Sequence, residues 1–256
     1  MKDYKKTIQN IWNKSAVVII LITLWFIVTT FNFIDPIFLS TPQETLTKLF
    51  QLLFSGNLLS DLSMTIFRLF IGLVLGSFVG ITLGLVIGYS KNVYEKFEFI
   101  IEFLRSTPTP VLFPLFLLFF GIGETAKILL IAWASFMLLI INTSYGVRHG
   151  KETRIITAKL FKANDFQIFS KIIFPGALPY IFSGLRIAVS HTLVVVIFIE
   201  MFIGTNVGLG IRILNAQYLF KTAEMYAIII ISSVLGYLLN KAVLSVENKI
   251  LHWTKY

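Results

Sequence analysis

Four side chains able to bind or carry charge stand inside one long apolar run: Arg186, Ser190, His191 and Glu200. Ionisable groups are costly in hydrocarbon, so within a membrane span they face the bundle interior or a water-filled path. At about 100° per residue, Glu200 returns to within about 40° of Arg186, with Ser190 close to the same stripe. His191 points to the opposite side of the helix from Glu200. The chemistry on offer is non-covalent, a face of hydrogen-bonding and charged groups that a passing solute could touch. The spacing predicts an Arg186–Ser190–Glu200 face on a pathway. The alternative is that Arg186 and Glu200 snorkel at the two interfaces, with His191 hydrogen-bonded between helices. Arg68 reads as an outer-interface anchor.

Bond-breaking chemistry has little provision. There is no G-x-x-x-x-G-K-[ST]; His149-Gly150-Lys151-Glu152 lacks both the upstream glycine and the hydroxyl that phosphate and Mg²⁺ require. H-E-x-x-H, paired carboxylates at catalytic spacing and Cys/His clusters are also missing, and the chain has no cysteine. Gly204, Gly208 and Gly210 sit in a loop with no strand before them, so they are not a nucleotide motif. The expectation is a non-enzyme that binds no cofactor and no metal.

The elements that must position these residues are membrane helices. Of 256 residues, 56% are hydrophobic and 14% charged, against about a quarter charged in soluble domains. Apolar segments long enough to span fall at about 15–34, 62–89, 97–120, 126–146, 178–203 and 223–244, which predicts an all-α, single-domain protein of about six spans. The net charge of +9 does not point to nucleic acid, because its placement is asymmetric. With a cytoplasmic N-terminus, fifteen Lys and Arg residues lie inside and only Lys48, Lys127, Arg212 and Lys221 outside. Both termini are then cytoplasmic, and so is the polar segment 147–177. The N-terminal apolar run, ended by Asp35-Pro36, reads as a retained span, with Ser40 or Thr41 capping a short external helix.

Two spans carry special features. Gly72, Gly76, Gly80, Gly84 and Gly88 recur every fourth residue, which makes a smooth stripe where helix backbones can approach. The stripe serves packing alone or a surface that slides between two states. Pro108, Pro110 and Pro114 must interrupt helical hydrogen bonding, so 105–114 is either a pathway element or a kink between packed helices.

The cytoplasmic segment is cationic and amphipathic. Ile155, Ile156, Leu160 and Phe161 precede a break at Ala163-Asn164-Asp165; Phe166, Phe169, Ile172 and Ile173 follow it. Asn164 with Gln167 resembles a capping box, and Pro175 predicts an end to the second helix. Two short helices at an angle would offer Phe166, Phe169 and Ile172 to a partner's groove.

This segment resembles the cytoplasmic coupling loop, the EAA loop, of bacterial ABC-importer permeases. Ile156-Thr157-Ala158 occupy the Glu-Ala-Ala places and Lys162 the glycine; Ile172-Ile173-Phe174-Pro175 occupy I-x-L-P. Gly176 to Ala188, Leu104 to Pro110, Phe120 to Glu124 and Gly208 to Gly210 are similar to the nitrate/sulfonate/taurine branch, and the likeness runs from about Thr23 to Trp253. It implies a type I importer permease whose loop residues Thr157, Ala158, Phe161, Lys162, Ala163, Asn164, Phe166, Phe169, Ile172, Phe174 and Pro175 meet a separate ABC ATPase. ATP and Mg²⁺ belong to that subunit. It further implies a second permease copy, as a homodimer or heterodimer, an extracytoplasmic solute-binding protein, a lipid surround and the bacterial cytoplasmic membrane. The solute would be nitrate-, sulfonate- or taurine-like, or a thiamine-precursor pyrimidine. A secondary transporter would need deep coupling-ion ligands, and a membrane enzyme would need clustered His, Asp or Glu; both are poorly served here.

Overall fold

The computed structural model describes the backbone of residues 2–56, 58–150, 152–202 and 205–254, with side chains from residue 16, except at 57, 151, 152, 203, 204 and 254. Gly204 lies outside the described residues. The described residues are helical, with no strand among them. The helices are α1 (Lys2–Thr30), α2 (Pro42–Phe54), α3 (Leu59–Tyr89), α4 (Lys91–Ser106), α5 (Phe113–Phe120), α6 (Glu124–Arg148), α7 (Glu152–Leu160), α8 (Asp165–Ile168), α9 (Phe174–Phe202), α10 (Leu209–Tyr218) and α11 (Thr222–Ile250). Two compact units are present, residues 1–60 with 212–232, and residues 61–211 with 233–256.

In the smaller unit α1 ends at Thr30, before Asp35-Pro36. Asn32 takes a left-handed conformation (φ 51°) while Phe33 N–H donates to Val28 O and Asn32 N–H to Thr29 O. That pair of bonds is a Schellman stop, and it needs no proline. Where its side chains are described, from Ala16 to Thr30, α1 is apolar. Thr41 caps α2 in a reciprocal box with Glu44. The Thr222 hydroxyl donates to Ile37 O at 2.6 Å and Trp25 Nε1 to Ser40 O at 3.0 Å, which tie down the connection between α1 and α2.

The larger unit is organised by the glycine stripe. A Cβ at Gly72 would strike Ile131, at Gly76 Ser135, at Gly80 Leu139, at Gly84 Thr143 and at Gly88 Val147. These five pairs share an offset of 59 residues, and each glycine also meets backbone one turn earlier, at an offset of 56, so α3 and α6 lie side by side and run in the same direction. The Ser135 hydroxyl donates to Gly72 O across the contact at 3.3 Å. In lipid, such backbone approach supplies the van der Waals attraction that apolar burial supplies in water.

Parallel helices joined by a short chain force a crossing between them. Segment 90–123 must return from the Gly88–Val147 end to the start of α6. Over the span expected at 97–120, where the prolines had to interrupt the helix, α4 and residues 109–120 are bent by 88°, and the bent pair carries the chain back. Pro108 and Pro110 flank the bend, with Pro110 inside a 3₁₀ turn, Thr109–Leu112. The described apolar helices are four long spans (Leu59–Tyr89, Glu124–Arg148, Asp165–Phe202, Thr222–Ile250), one broken span and α1. The Arg148 guanidinium lies 3.6 Å over the Tyr94 ring, holding α4 to the end of α6.

Against α6, α9 runs antiparallel: Gly146 meets Tyr180 and Gly184 meets Asn142. Pro175 does not end its helix. The π turn Phe169–Ile173 precedes it, so Pro175 falls in the first turn of α9, where an N–H has no intrahelical acceptor to lose. Residues 165–202 thereby form one span-length helix.

Gly80→Leu should separate α3 from α6, because its Cβ alone would sit 2.8 Å from Phe136 O and 3.0 Å from Leu139 Cβ. A cost of about 1–3 kcal/mol or more is expected, read as a lowered Tm in detergent and lost uptake. Gly176→Ala, whose Cβ meets nothing within 4 Å, should leave Tm unchanged or raised. Wild-type stability in Gly80→Leu would show that the stripe is not a close contact.

Candidate functional site

Three places in the larger unit gather chemistry: a buried ion network at one end, an open groove along α9, and the turn between α7 and α8.

The network is centred on Arg68, only 2% exposed. Its Nε and Nη2 donate to the two oxygens of Glu124 at 2.6 and 2.9 Å, a bidentate fork. Nη1 donates to Glu200 Oε1 at 2.7 Å and to Val207 O at 2.8 Å. Glu200 is wholly buried and also receives the Thr65 hydroxyl at 2.9 Å and Gly210 N–H at 3.0 Å. Lys127 Nζ donates to Glu124 at 2.9 Å, and Gly208 N–H donates to Asp61 at 2.9 Å. The α3–α6 register puts Arg68 beside Lys127, one turn from Glu124. A Cβ at Gly208 (φ 151°) would lie 2.5 Å from the Glu200 carboxyl carbon, and one at Gly210 2.6 Å from Glu200 Cβ. The Gly208-Leu209-Gly210 sequence thus lets a loop lie directly on a carboxylate.

This corrects two expectations. Glu200 does not share an open face with Arg186 and Ser190; it is the core acceptor of the network. Arg68 is not a snorkelling anchor but the guanidinium that Glu200 and Glu124 neutralise. The signal available beforehand was only that both were intramembrane ions of opposite sign.

The groove has a volume of about 620 Å³ and is lined by Ser183, Arg186, Ile187, Ser190, His191 and Val194 of α9 with Asn240 of α11. Arg186 Nε donates to Asn240 Oδ1 at 3.4 Å, and its Nη1 lies 3.9 Å from Glu247. Asn240 Nδ2 donates to the Ser190 hydroxyl at 3.4 Å. No lining residue is acidic. His191 belongs to this groove rather than to an interhelical contact. By the α6–α9 register, Ser190 is level with about residue 136, halfway along α6. Pro108 and Pro110 are not among the lining residues.

At the turn, α7 closes in a second Schellman stop: Ala163 N–H donates to Ala158 O and Lys162 N–H to Lys159 O, with Lys162 left-handed at φ 56°. Lys162, at the place of the family's glycine, takes the left-handed conformation a glycine would. Asn164 caps the next helix, its Oδ1 accepting Gln167 N–H at 2.8 Å while Gln167 Oε1 accepts Asn164 N–H at 3.0 Å. Phe161 (83%) and Phe166 (76%) project from the two sides of this turn, beside exposed Ile156 and Leu160. Phe169 turns inward instead, edge-on to Tyr89 at 6.1 Å. With Ala158 and Ala163 it packs on the core of Val147, Ile168, Ile173, Ala177 and Ile181. Ile172 is half-buried, so the expected Phe166–Phe169–Ile172 face is corrected to one built around Phe161 and Phe166. Thr157 donates its hydroxyl to Thr153 O, and Phe174 is partly exposed near Pro175.

The family described as "Binding-protein-dependent transport system inner membrane component" matches residues 76–251. A putative aliphatic sulfonates transport permease protein of Bacillus subtilis is 31% identical, covering 91% of this chain and 84% of that one. The taurine transport system permease protein of Escherichia coli is 31% identical, over 91% and 86%. A nitrate import permease protein of Synechocystis is 29% identical, over 82% and 79%. Among solved structures, the MetNI methionine ABC transporter in inward-facing conformations has a chain of the same fold (TM-score 0.58, 21% identity, 75% of this chain and 94% of that one).

Arg68→Ala should strand Glu200 as an unpaired buried charge and cost about 3–5 kcal/mol, lowering Tm and yield. Glu200→Gln keeps the shape and should cost less. Equal, near-zero effects in both variants would show that the network does not hold the helices.

Proposed function

The chain belongs to the family of binding-protein-dependent transport system inner membrane components and is the membrane-spanning permease subunit of an ABC importer; on that premise we propose how it meets its partners and its solute. Both termini and segment 147–177 lie in the cytoplasm, a placement supported by the fifteen-to-four asymmetry of basic residues. Two copies, identical or paired with a related permease, enclose the pathway. An extracytoplasmic binding protein delivers solute, and an ABC ATPase supplies ATP, Mg²⁺ and hydrolysis. The missing phosphate-binding loop supports that division of labour.

The ATPase seats on the turn at Lys162. Two large aromatic side chains standing in water at a tight turn need an apolar partner, and Phe161 and Phe166 are placed to fill its groove. Closure of the ATPase pair would push this turn, and α9 would carry the displacement to the groove, opening and closing it alternately.

The solute is a small oxyanion of the sulfonate, taurine or nitrate kind. The relatives' names support that class, and the single observation that carries it is the groove: Arg186, His191, Ser190, Ser183 and Asn240 at mid-span, with Glu247, 3.9 Å from Arg186, outside the lining. Polar groups at that depth fit a water-filled path rather than lipid.

Phe161→Asp and Phe166→Asp should abolish co-purification of the ATPase while membrane insertion persists. Phe169→Asp should instead lower Tm, since it buries a charge. An intact complex in the first two variants would overturn the docking surface.

The chain has no native cysteine, so introduced ones report access cleanly. Cysteines at Ser190, His191 and Val194 should react with a small charged thiol reagent, at rates that change when nucleotide is trapped on the ATPase. Positions 193 and 200 should be silent. Labelling at 200 with protection at 190 and 191 would remove the groove as the pathway.

A further inference from the structure

We propose that the permease carries a second oxyanion site, separate from the α9 groove, in a cleft of about 640 Å³ lined by Arg154, Lys171, Ile172, Pro175, Pro179 and Trp253. Three distant stretches of chain build it: α7 brings Arg154, the π turn and the start of α9 bring Lys171 to Pro179, and the 3₁₀ turn His252–Thr254 brings Trp253. The π turn matters here, because it lets the helix pass Pro175 unbroken and so keeps Lys171 and Pro179 on one wall.

Charge identifies the ligand class. Several cations in the described chain are matched by carboxylates: Arg68 by Glu124 and Glu200, Lys127 by Glu124, Arg186 by Glu247, Arg212 and Lys48 by Glu224. Arg154 and Lys171 have no ion-pair partner among the described residues, and no residue lining their shared cleft is acidic. Two uncompensated cations over an apolar wall of Ile172 and proline, with an indole alongside, suit a phosphate-type oxyanion that has an apolar part. A guanidinium takes such a group bidentately, and the ammonium adds a point charge. The site rests on the cytoplasmic placement of segment 147–177. There, two sources share the chemistry: the phosphodiester of an anionic phospholipid at the inner leaflet, or a soluble cytoplasmic phosphate.

The test uses the whole transporter, permease with ATPase, purified in detergent. Native mass spectrometry with added phosphatidylglycerol reads the lipid arm, and Trp253-dependent fluorescence (wild type minus Trp253→Phe) during inorganic phosphate titration reads the soluble arm. Each cation near an anionic group is worth about fivefold in affinity, so Arg154→Gln with Lys171→Gln should weaken binding about 25-fold. The control pair, Lys91→Gln with Lys96→Gln, removes two exposed cations elsewhere and should change little. Loss confined to the lipid arm assigns the site to a headgroup; loss confined to the phosphate arm assigns it to a soluble anion. Equal loss in the control pair, or no loss in either arm, overturns the site. Neither readout involves transport, so failure here leaves the permease reading standing, and a failed transport assay leaves this site standing.

Discussion

The parallel contact of α3 with α6 is the constraint on which the rest of the larger unit depends. Between membrane helices no hydrophobic effect drives association, so surfaces must fit closely enough for dispersion and weak backbone contacts to hold them. Five glycines spaced by four achieve that over about four turns. The contact also fixes a register, and the register does the remaining placement. It aligns Arg68 with the first turn of α6, where Glu124 and Lys127 wait. It obliges segment 90–123 to recross the membrane, which makes the bent α4–α5 pair a traverse and excludes a re-entrant loop. It leaves an adjoining face of α6 for α9, with Leu139 meeting both Gly80 and Gly184; α9 enters antiparallel and ends with Glu200 at the same level as Arg68.

The ion network that results is close to electrically balanced. Arg68 and Lys127 face Glu124, Glu200 and Asp61, and the excess negative charge meets the backbone N–H groups of Gly208 and Gly210, where α10 begins, while Leu209 N–H donates to the Thr65 hydroxyl. The positive end of a helix is a favourable place for such an excess. Buried ion pairs seldom add much net stability, since desolvation cancels most of the attraction. What this one supplies is position. The forked guanidinium joins α3, α6, α9 and the 205–210 loop at one point, adding to the register that the glycine stripe sets for α3 and α6.

Local chemistry was legible in the sequence and long-range pairing was not. The capping box at Asn164 and Gln167 could be read because all its partners lie within four residues. The glycine stripe could be read as a contact, but spacing names no partner helix. Arg68 and Glu200 are 132 residues apart, and nothing local joins them. The groove face was misplaced for a definable reason. Its residues, 183, 186, 187, 190, 191 and 194, form one stripe roughly 140° wide, with Arg186 at the edge. Taking Arg186 as the centre swung the predicted face toward Glu200 and away from His191. Pro175 misled because a proline ends a helix only if its missing N–H falls in the interior. A π turn upstream restarts the count and puts it in a first turn.

That restart has a mechanical consequence. Because residues 165–202 are one helix, the exposed turn at Lys162 and the α9 groove are joined by a single element, held at its far end by the Arg68–Glu200 pair. At about 1.5 Å per residue, Ser190 lies about 15 Å from that clamp and Asp165 about 50 Å. A stiff lever pivoting at Glu200 therefore passes to Ser190 about three-tenths of a displacement applied at Asp165. A push of several ångströms at the turn becomes one or two at the groove, enough to break the 3.4 Å bonds linking Arg186 and Ser190 to Asn240. Bending at the π turn or Pro179 would absorb part of the push before it reached the groove. The packing of Ile168, Ile173 and Ala177 around Val147 opposes such bending, since a bend there would open the core at the end of α6. The inward turn of Phe169 belongs to the same logic: packed on Tyr89 and that core, it stiffens the base of the lever.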